Sequence, residues 1–436
     1  MHYLYFSISL TILSYFLFTK NEKGIFFFII QGILLDILSI QLIGNISLLK
    51  LTGFLSFPYI LLNYSFKDFI KLKIFNLFML TIIAMLISYI VFNFVFPWES
   101  EFEIHSFRTN IINSTKNFLT HISEFGCILF LAIFFNKKNE FRTIIIIICA
   151  ISICGILLEK VCDFDFFHHF SGGPKMLLKM RARGFSFEPR SASYYMAIII
   201  SVLSIYNFSL PLKLLLLTIT TISFIFTNSM TGYVILLFSL IIIGIISVII
   251  NKKQFKSLLI IVLPLIFVAT FILSSSHGSN IIKHIKSRAY IFTAEKVIDK
   301  LEYADAAALN FFIKNPKYII FGNGVGLASV ATSKYLPENS RTKFKNGLTY
   351  LPFMGIMLIL TNGGIILFSI YLAIIWTGLL EIYQLDIDKD KRDFILTITV
   401  VFIATYFIQV RYFHILGFAI MLYAEMKNKN LGTTTS

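Results

Sequence analysis

The chain has 436 residues, 57% hydrophobic and 14% charged, with 48 Phe, 20 Tyr and a formal net charge of +15. Soluble domains carry about 45 to 50% apolar and about 25% charged residues, so a set of soluble domains is excluded and the excess apolar surface belongs in lipid. A disulfide scaffold is excluded too, because Cys127, Cys149 and Cys154 sit inside apolar runs and only Cys162 falls in a connection.

The pattern predicts an all-α polytopic membrane protein, with residues 1–436 as a single integral-membrane domain. The first apolar run lacks the basic region and small-residue cleavage site of a secretory signal, and is expected to stay as a span. In chain order, apolar windows of spanning length fall near 3–19, 24–43, 48–66, 74–96, 118–135, 143–158, 191–208, 212–229, 233–250, 257–273, 348–380 and 394–424. The last window is interrupted by Gln409, Arg411 and His414, so it reads as one span or as two short helices turning near Arg411. Twelve or thirteen transmembrane helices follow.

Basic residues gather in alternate short connections: Lys20/Lys23, Lys67/Lys71/Lys73, Lys137/Lys138/Arg142, Lys213, Lys252/Lys253/Lys256, Lys389/Lys391/Arg392 and Lys427/Lys429. Lys and Arg resist translocation, so these connections are expected on the cytoplasmic side. The other side takes the connections 97–117, 159–190 and 274–347. The 159–190 loop holds six Lys and Arg against four Asp and Glu, and the 274–347 loop eleven against five. Two basic periplasmic loops of this kind fit an anionic partner or a solvated basic surface. Within the longer one, Ile291, Ala294, Ile298, Leu301, Ala308 and Phe312 recur at helical spacing, predicting a helix over 289–314 that Asn315-Pro316 ends.

The densest group of chemically capable side chains is Arg181, Arg183 and Arg190 with Glu188, just before the seventh span. Guanidiniums are fork-shaped donors suited to phosphate oxygens, and a helix N-terminus adds partial positive charge, so the group reads as a pyrophosphate clamp. The plainer alternative pairs the arginines with Glu188, Asp163 and Asp165, or with lipid headgroups. Arg288 could reach the same headgroup from the long loop. Gly322-Asn323-Gly324-Val325-Gly326 lacks the context of a nucleotide-binding loop and reads as a flexible turn. Asp36 with Gln31, and His121 with Glu124, are ionisable positions within spans; lipid exposure of a charge there costs ~2.5 to 3.5 kcal/mol, so they are expected to face the bundle interior. Adjacent His168-His169 lack the spacing of a helical metal motif, so no metal site is expected.

Several short motifs occur in an order that resembles the O-antigen polymerase family, within the larger group that includes O-antigen ligases. They are Arg183-Gly184 followed by Glu188-Pro189, Asn228-Ser229-Met230-Thr231-Gly232, Arg288 early in a long outer loop, Asn315-Pro316 leading to Gly322–Gly326, and Asn362-Gly363-Gly364-Ile365-Ile366. The resemblance spans roughly 180–370. It implies transfer of a growing glycan from one undecaprenyl diphosphate carrier to a hydroxyl of the next carrier-linked unit, on the outer face of the bacterial inner membrane. It further implies no cofactor and no metal, and roles for Arg183 and Arg288, with Arg181 and Arg190 assisting at the pyrophosphate. Glu188 is the expected base for the acceptor hydroxyl. The implied partners are undecaprenyl diphosphate-linked oligosaccharides and membrane lipid, with a chain-length regulator left open and nucleic acid given no role. Lys343, Lys345 and Asn346 stand where ligases usually carry His, which lowers the ligase alternative. A flippase, the alternative from another class, would keep charge in its spans and short loops.

Overall fold

Inside lipid no water satisfies backbone N–H and C=O groups, so a chain this apolar has helices or a closed barrel open to it. The computed structural model describes residues 2–34, 47–99, 103–138, 141–162, 182–183, 189–206, 208–227, 229–250, 301–336, 347–348, 350–409 and 412–431. Among these, all regular structure is helical. The helices are α1 His2–Phe18, α2 Glu22–Leu34, α3 Leu48–Asn63, α4 Phe66–Ile70, α5 Lys73–Ile90, α6 Phe107–Lys138, α7 Phe141–Cys162, α8 Pro189–Ile205, α9 Leu210–Thr227 and α10 Met230–Ile250. They continue with α11 Tyr303–Lys314, α12 Tyr318–Phe321, α13 Ala328–Thr332, α14 Gly355–Tyr383, α15 Lys389–Ile408 and α16 Phe413–Asn428. Helix α5 runs on into a π-helical turn, Val91–Val95.

Four of these segments are long and apolar enough to cross a membrane: Lys73–Val95, Phe107–Asn136, Leu210–Thr227 and Gly355–Tyr383. Ser7–Phe18, Leu48–Asn63, Ser191–Ile205 and Gly232–Val248 are shorter apolar helices. The described residues are all-helical, with apolar helices suited to a membrane protein. Hydroxyls within these helices bond carbonyls of the preceding turn, as Thr52 does to Leu48, Ser56 to Thr52, Ser201 to Ala197 and Thr397 to Asp393. A polar side chain satisfied in this way presents little polarity to its surroundings.

The described helix ends carrying basic connections collect at one end of the bundle. The Tyr64 hydroxyl donates to Glu22 at 2.6 Å, tying the end of α3 to the start of α2. Lys429 Nζ donates to the Lys71 carbonyl, Asn136 to that of Leu431, and Asn428 to that of Glu381. The Tyr206 and Phe394 rings meet edge to face at 5.0 Å, bringing the end of α8 to the start of α15. Glu425, 0% exposed, accepts from the backbone N–H groups of Lys73 and Ile74 at 2.6 and 2.9 Å. It satisfies donors that the first turn of α5 cannot satisfy itself.

Helix α16 lies at the centre, with every residue from Phe413 to Met426 buried. Helices α5, α6, α14 and α15 pack around it.

Several expectations change. The predicted connection 97–117 gives up its second half to α6, which begins at Phe107. Asn110, Ser114 and Asn117 recur at one-turn spacing there, and their polar face is used inside the protein rather than in water. The single helix over 289–314 is not formed, because Glu302 is extended (φ −63°, ψ 148°) and α11 starts at Tyr303. Acidic residues suit a helix N-terminus, and Asp305 in its first turn also accepts from the Met354 N–H at 3.0 Å. The helix does end before Pro316. The window 394–424 resolves into α15 and α16, the two-helix alternative. The window 348–380 becomes α14, starting at Gly355 and kinked at Gly363-Gly364. Asp36 and the window 257–273 lie outside the described residues.

Candidate functional site

At the end of the bundle opposite the basic connections, the glycine-rich turn 322–327 is seated in the kink of α14. Gly322, Gly324 and Gly326 have φ of +73°, +105° and +70°, a region that L side chains rarely adopt. Facing them, Gly364 has φ +64°, and a Cβ on it would lie 2.2 Å from the Ile320 carbonyl oxygen. The two glycine segments touch backbone to backbone. The Asn323 N–H donates to the Thr361 carbonyl at 2.8 Å, and the Gly326 N–H to Asn362 Oδ1 at 3.2 Å. Residues 322–332 are buried, so the expectation of a flexible turn is corrected: the glycines allow close approach, and packing then holds the turn.

Two of its carbonyls are held from the first half of the chain. Trp98 Nε1 donates to the Asn323 carbonyl at 2.7 Å, and Ser114 Oγ to that of Val325 at 2.6 Å. Asn93, on the π-helical turn, donates to Ser114 Oγ at 2.9 Å. The Asn323 side chain is 0% exposed, and neither of its polar atoms has a hydrogen-bond partner among the described residues.

Behind the turn lies a partly buried group of ionisable side chains. Asn362 Nδ2 and His121 Nε2 are 3.3 Å apart. His121 Nδ1 is 3.4 Å from Glu124 Oε2, and His414 Nε2 approaches the same oxygen at 3.6 Å. The His414 ring lies against Tyr406 with centroids 4.2 Å apart. His121 and Glu124 therefore face the interior and are partnered, as a charge inside a membrane bundle must be. Among the described residues no group of three His, Cys, Asp or Glu side chains is arranged to hold a metal ion.

Of the arginine group, Arg183 is described. It is 1% exposed and sits in the short segment Ala182-Arg183 between α7 and α8. The Ala182 N–H donates to the Phe226 carbonyl at 2.8 Å. The Arg183 N–H donates to both oxygens of Glu159, at 3.1 and 3.2 Å, and Glu159 is itself 1% exposed. A buried carboxylate that accepts from a backbone N–H in this way recovers part of its own desolvation cost. Arg181, Glu188 and Arg288 lie outside the described residues, as does the side chain of Arg190 on the first turn of α8.

The motifs beyond Arg183 converge on the α15–α16 pair. A Cβ on Gly232 would lie 2.5 Å from Ser193 Cβ, so α10 and α8 touch where Asn228–Gly232 ends. The next residue, Tyr194, donates to Thr405 at 3.1 Å, and Tyr194 and Tyr195 pack on Phe413, the neighbour of His414. Sequence reasoning singled out His121, Glu124, Arg183 and the two glycine segments. It missed Glu159, Asn93, Trp98, Ser114 and the pairing of His414 with Glu124. Only His414 left a signal, as a polar interruption in the last apolar window. No family model matches the chain, and no curated protein matches it in sequence.

Proposed function

We propose that the chain is a multi-pass polysaccharide polymerase of the bacterial inner membrane, resembling O-antigen polymerases. In this reading twelve or thirteen spans carry two periplasmic loops, and the enzyme transfers a glycan from undecaprenyl diphosphate to a hydroxyl of another lipid-linked repeat unit. The observation that carries it is the meeting of separate motifs: the segment after Arg183 packs on Gly232, and Gly322–Gly326 on Asn362–Gly364. Both contacts adjoin the α15–α16 pair through Phe413 and His414.

The chemistry fits these residues. Cleaving a sugar–diphosphate bond leaves a diphosphate whose negative charge needs stabilising, and fixed guanidiniums in a water-poor site supply that stabilisation. Arg183 and Arg288 take this role, with Arg181 and Arg190 holding the pyrophosphate. Glu188 accepts the proton of the attacking hydroxyl. The near-complete burial of Arg183 supports the reading, since a guanidinium kept from water stabilises developing negative charge more strongly.

The test is deletion of the gene in its host, followed by electrophoresis of the surface glycan and mass analysis of carrier-linked intermediates. Single repeat units on the lipid core establish a polymerase. Polymer retained on the carrier establishes a ligase instead, and loss of all units a flippase. Complementation with Arg183→Ala, Arg288→Ala or Glu188→Gln is expected to leave single units while the protein stays abundant, with Arg183→Lys rescuing in part because a point charge lacks the guanidinium fork. Full-length polymer from both alanine variants overturns the clamp, and normal ladders from Glu188→Gln remove it as the base.

A further inference from the structure

We propose that His121 and Asn362 form a proton-set hydrogen-bond switch that holds the Gly322–Gly326 turn in place. The argument begins at the backbone. The Gly326 N–H can only donate, so the Asn362 atom facing it at 3.2 Å must be the carbonyl oxygen Oδ1. That fixes the amide and turns its NH2 group towards His121 Nε2 at 3.3 Å. An NH2 group can only donate, so Nε2 must carry a lone pair and the ring proton must sit on Nδ1. Nδ1 faces Glu124 Oε2 at 3.4 Å, where a carboxylate oxygen accepts it. From Glu124 to Gly326, each group's polarity is therefore dictated by its neighbour.

A second proton on His121 reverses this order. Nε2 becomes a donor and faces the Asn362 NH2 group, donor against donor. Rotating the amide by half a turn relieves that clash and points NH2 at the Gly326 N–H, making the same clash there. With His121 doubly protonated, Asn362 can satisfy the ring or the turn, and not both. Asn362 is also fixed through its own backbone, since its carbonyl accepts from Ser88 Oγ at 2.7 Å. The side chain must rotate in place rather than retreat.

The charged and titratable groups around the switch come from several elements. On α6 stand Glu124, Cys127 and Lys116; α3 brings Lys50; α16 brings His414 at 3.6 Å from Glu124. Tyr371 of α14 and Tyr406 of α15 face Glu124, and Tyr89 of α5 is engaged by Thr115 at 3.0 Å. Glu124 is the acid among them, and two imidazoles share it.

The proposal does not rest on the transferase reading, and its test uses no glycan. The full-length protein in nanodiscs is followed by hydrogen exchange, with protection corrected for intrinsic rates. Between about pH 8 and about pH 5, protection of the turn amides in the wild type is expected to fall about tenfold, on the scale of one lost hydrogen bond. In His121→Asn, protection should be the same at both pH values. An unchanged wild type overturns the proposal, as does an equal fall in the variant. A second measurement needs no variant: nitrogen NMR of histidine-labelled protein at high pH should show His121 with its proton on Nδ1, and a proton on Nε2 overturns the switch.

Discussion

Gly53 of α3 and Gly126 of α6 meet backbone to backbone. A Cβ on Gly126 would lie 2.0 Å from the Gly53 carbonyl oxygen, and one on Gly53 would lie 2.1 Å from that of Ser123. Small residues let helices approach this closely in a membrane, and Ser123 Oγ adds a 2.6 Å bond to the Lys50 carbonyl beside the crossing. Because the obstructing atoms are backbone, Gly126→Ala and Gly53→Ala should each cost about 1 to 3 kcal/mol through overpacking, read as a lowered melting temperature in detergent. Gly24→Ala is the control. The atoms it meets belong to the Phe16 ring, a side chain that can turn aside, and its loss should be smaller.

Glu425 caps α5 from another helix, so its removal leaves two backbone donors without their acceptor. Glu425→Leu should cost about 1 to 3 kcal/mol, the range for a buried group stripped of its partner. Glu425→Gln, which keeps an acceptor oxygen, should cost less. Lys429→Met removes the 2.8 Å ion pair to Glu425 and the bond to the Lys71 carbonyl but leaves both N–H donors on the carboxylate, and should cost less than Glu425→Leu. Chemical denaturation of the three variants side by side separates the cap from the ion pair.

The seating of the turn in the α14 kink has a built-in reporter. Trp98 bonds the Asn323 carbonyl, whereas Trp376, the chain's other tryptophan, is 69% exposed. In a Trp376→Phe background, emission should report Trp98 alone. Gly364→Ala adds a Cβ at a positive φ and into the Ile320 carbonyl, and should red-shift that emission as the turn lifts. Unshifted emission from a folded Gly364→Ala protein would mean that the turn tolerates the added carbon.

His105 closes the short 3-10 turn before α6 and is 3% exposed. Burial disfavours its charged form and holds its pKa below the ordinary 6.5. The unfolded chain therefore binds this proton at a higher pH than the folded one does. Stability from this residue is fully present above about pH 6.5 and is lost as pH falls towards the lowered folded value. Melting temperature should drop across that window, and His105→Phe should flatten that part of the slope.

The long apolar helices were legible in the sequence because lipid imposes length and apolarity on each segment separately. The pairing of Asp305 with Met354, or of Glu159 with Arg183, was not, because each joins residues from segments whose local pattern says nothing of the other. Polar residues show the limit most plainly. Asn110, Ser114 and Asn117 look like loop residues in a hydropathy window, yet they line one face of α6. His121 and Glu124 could be assigned to the interior on cost alone, whereas His414 could not be assigned to them, since that contact depends on the turn between α15 and α16. The glycines of 322–326 announced unusual backbone but not its purpose, and Asn362-Gly363-Gly364 was the other half of the same joint.

The burial of α16 on all sides also sets an order of events at the ribosome. It is synthesised after every described helix that surrounds it, so α5, α6, α14 and α15 are made with their inward faces uncovered. Chains are released from the ribosome in N-terminal to C-terminal order, and this one cannot close its interior until Phe413 onward has been made. A chain stopped just before Phe413 should insert its earlier helices and then be degraded quickly, which pulse-chase labelling measures directly. A truncated chain as long-lived as the full one would show that the surrounding helices close up without their centre.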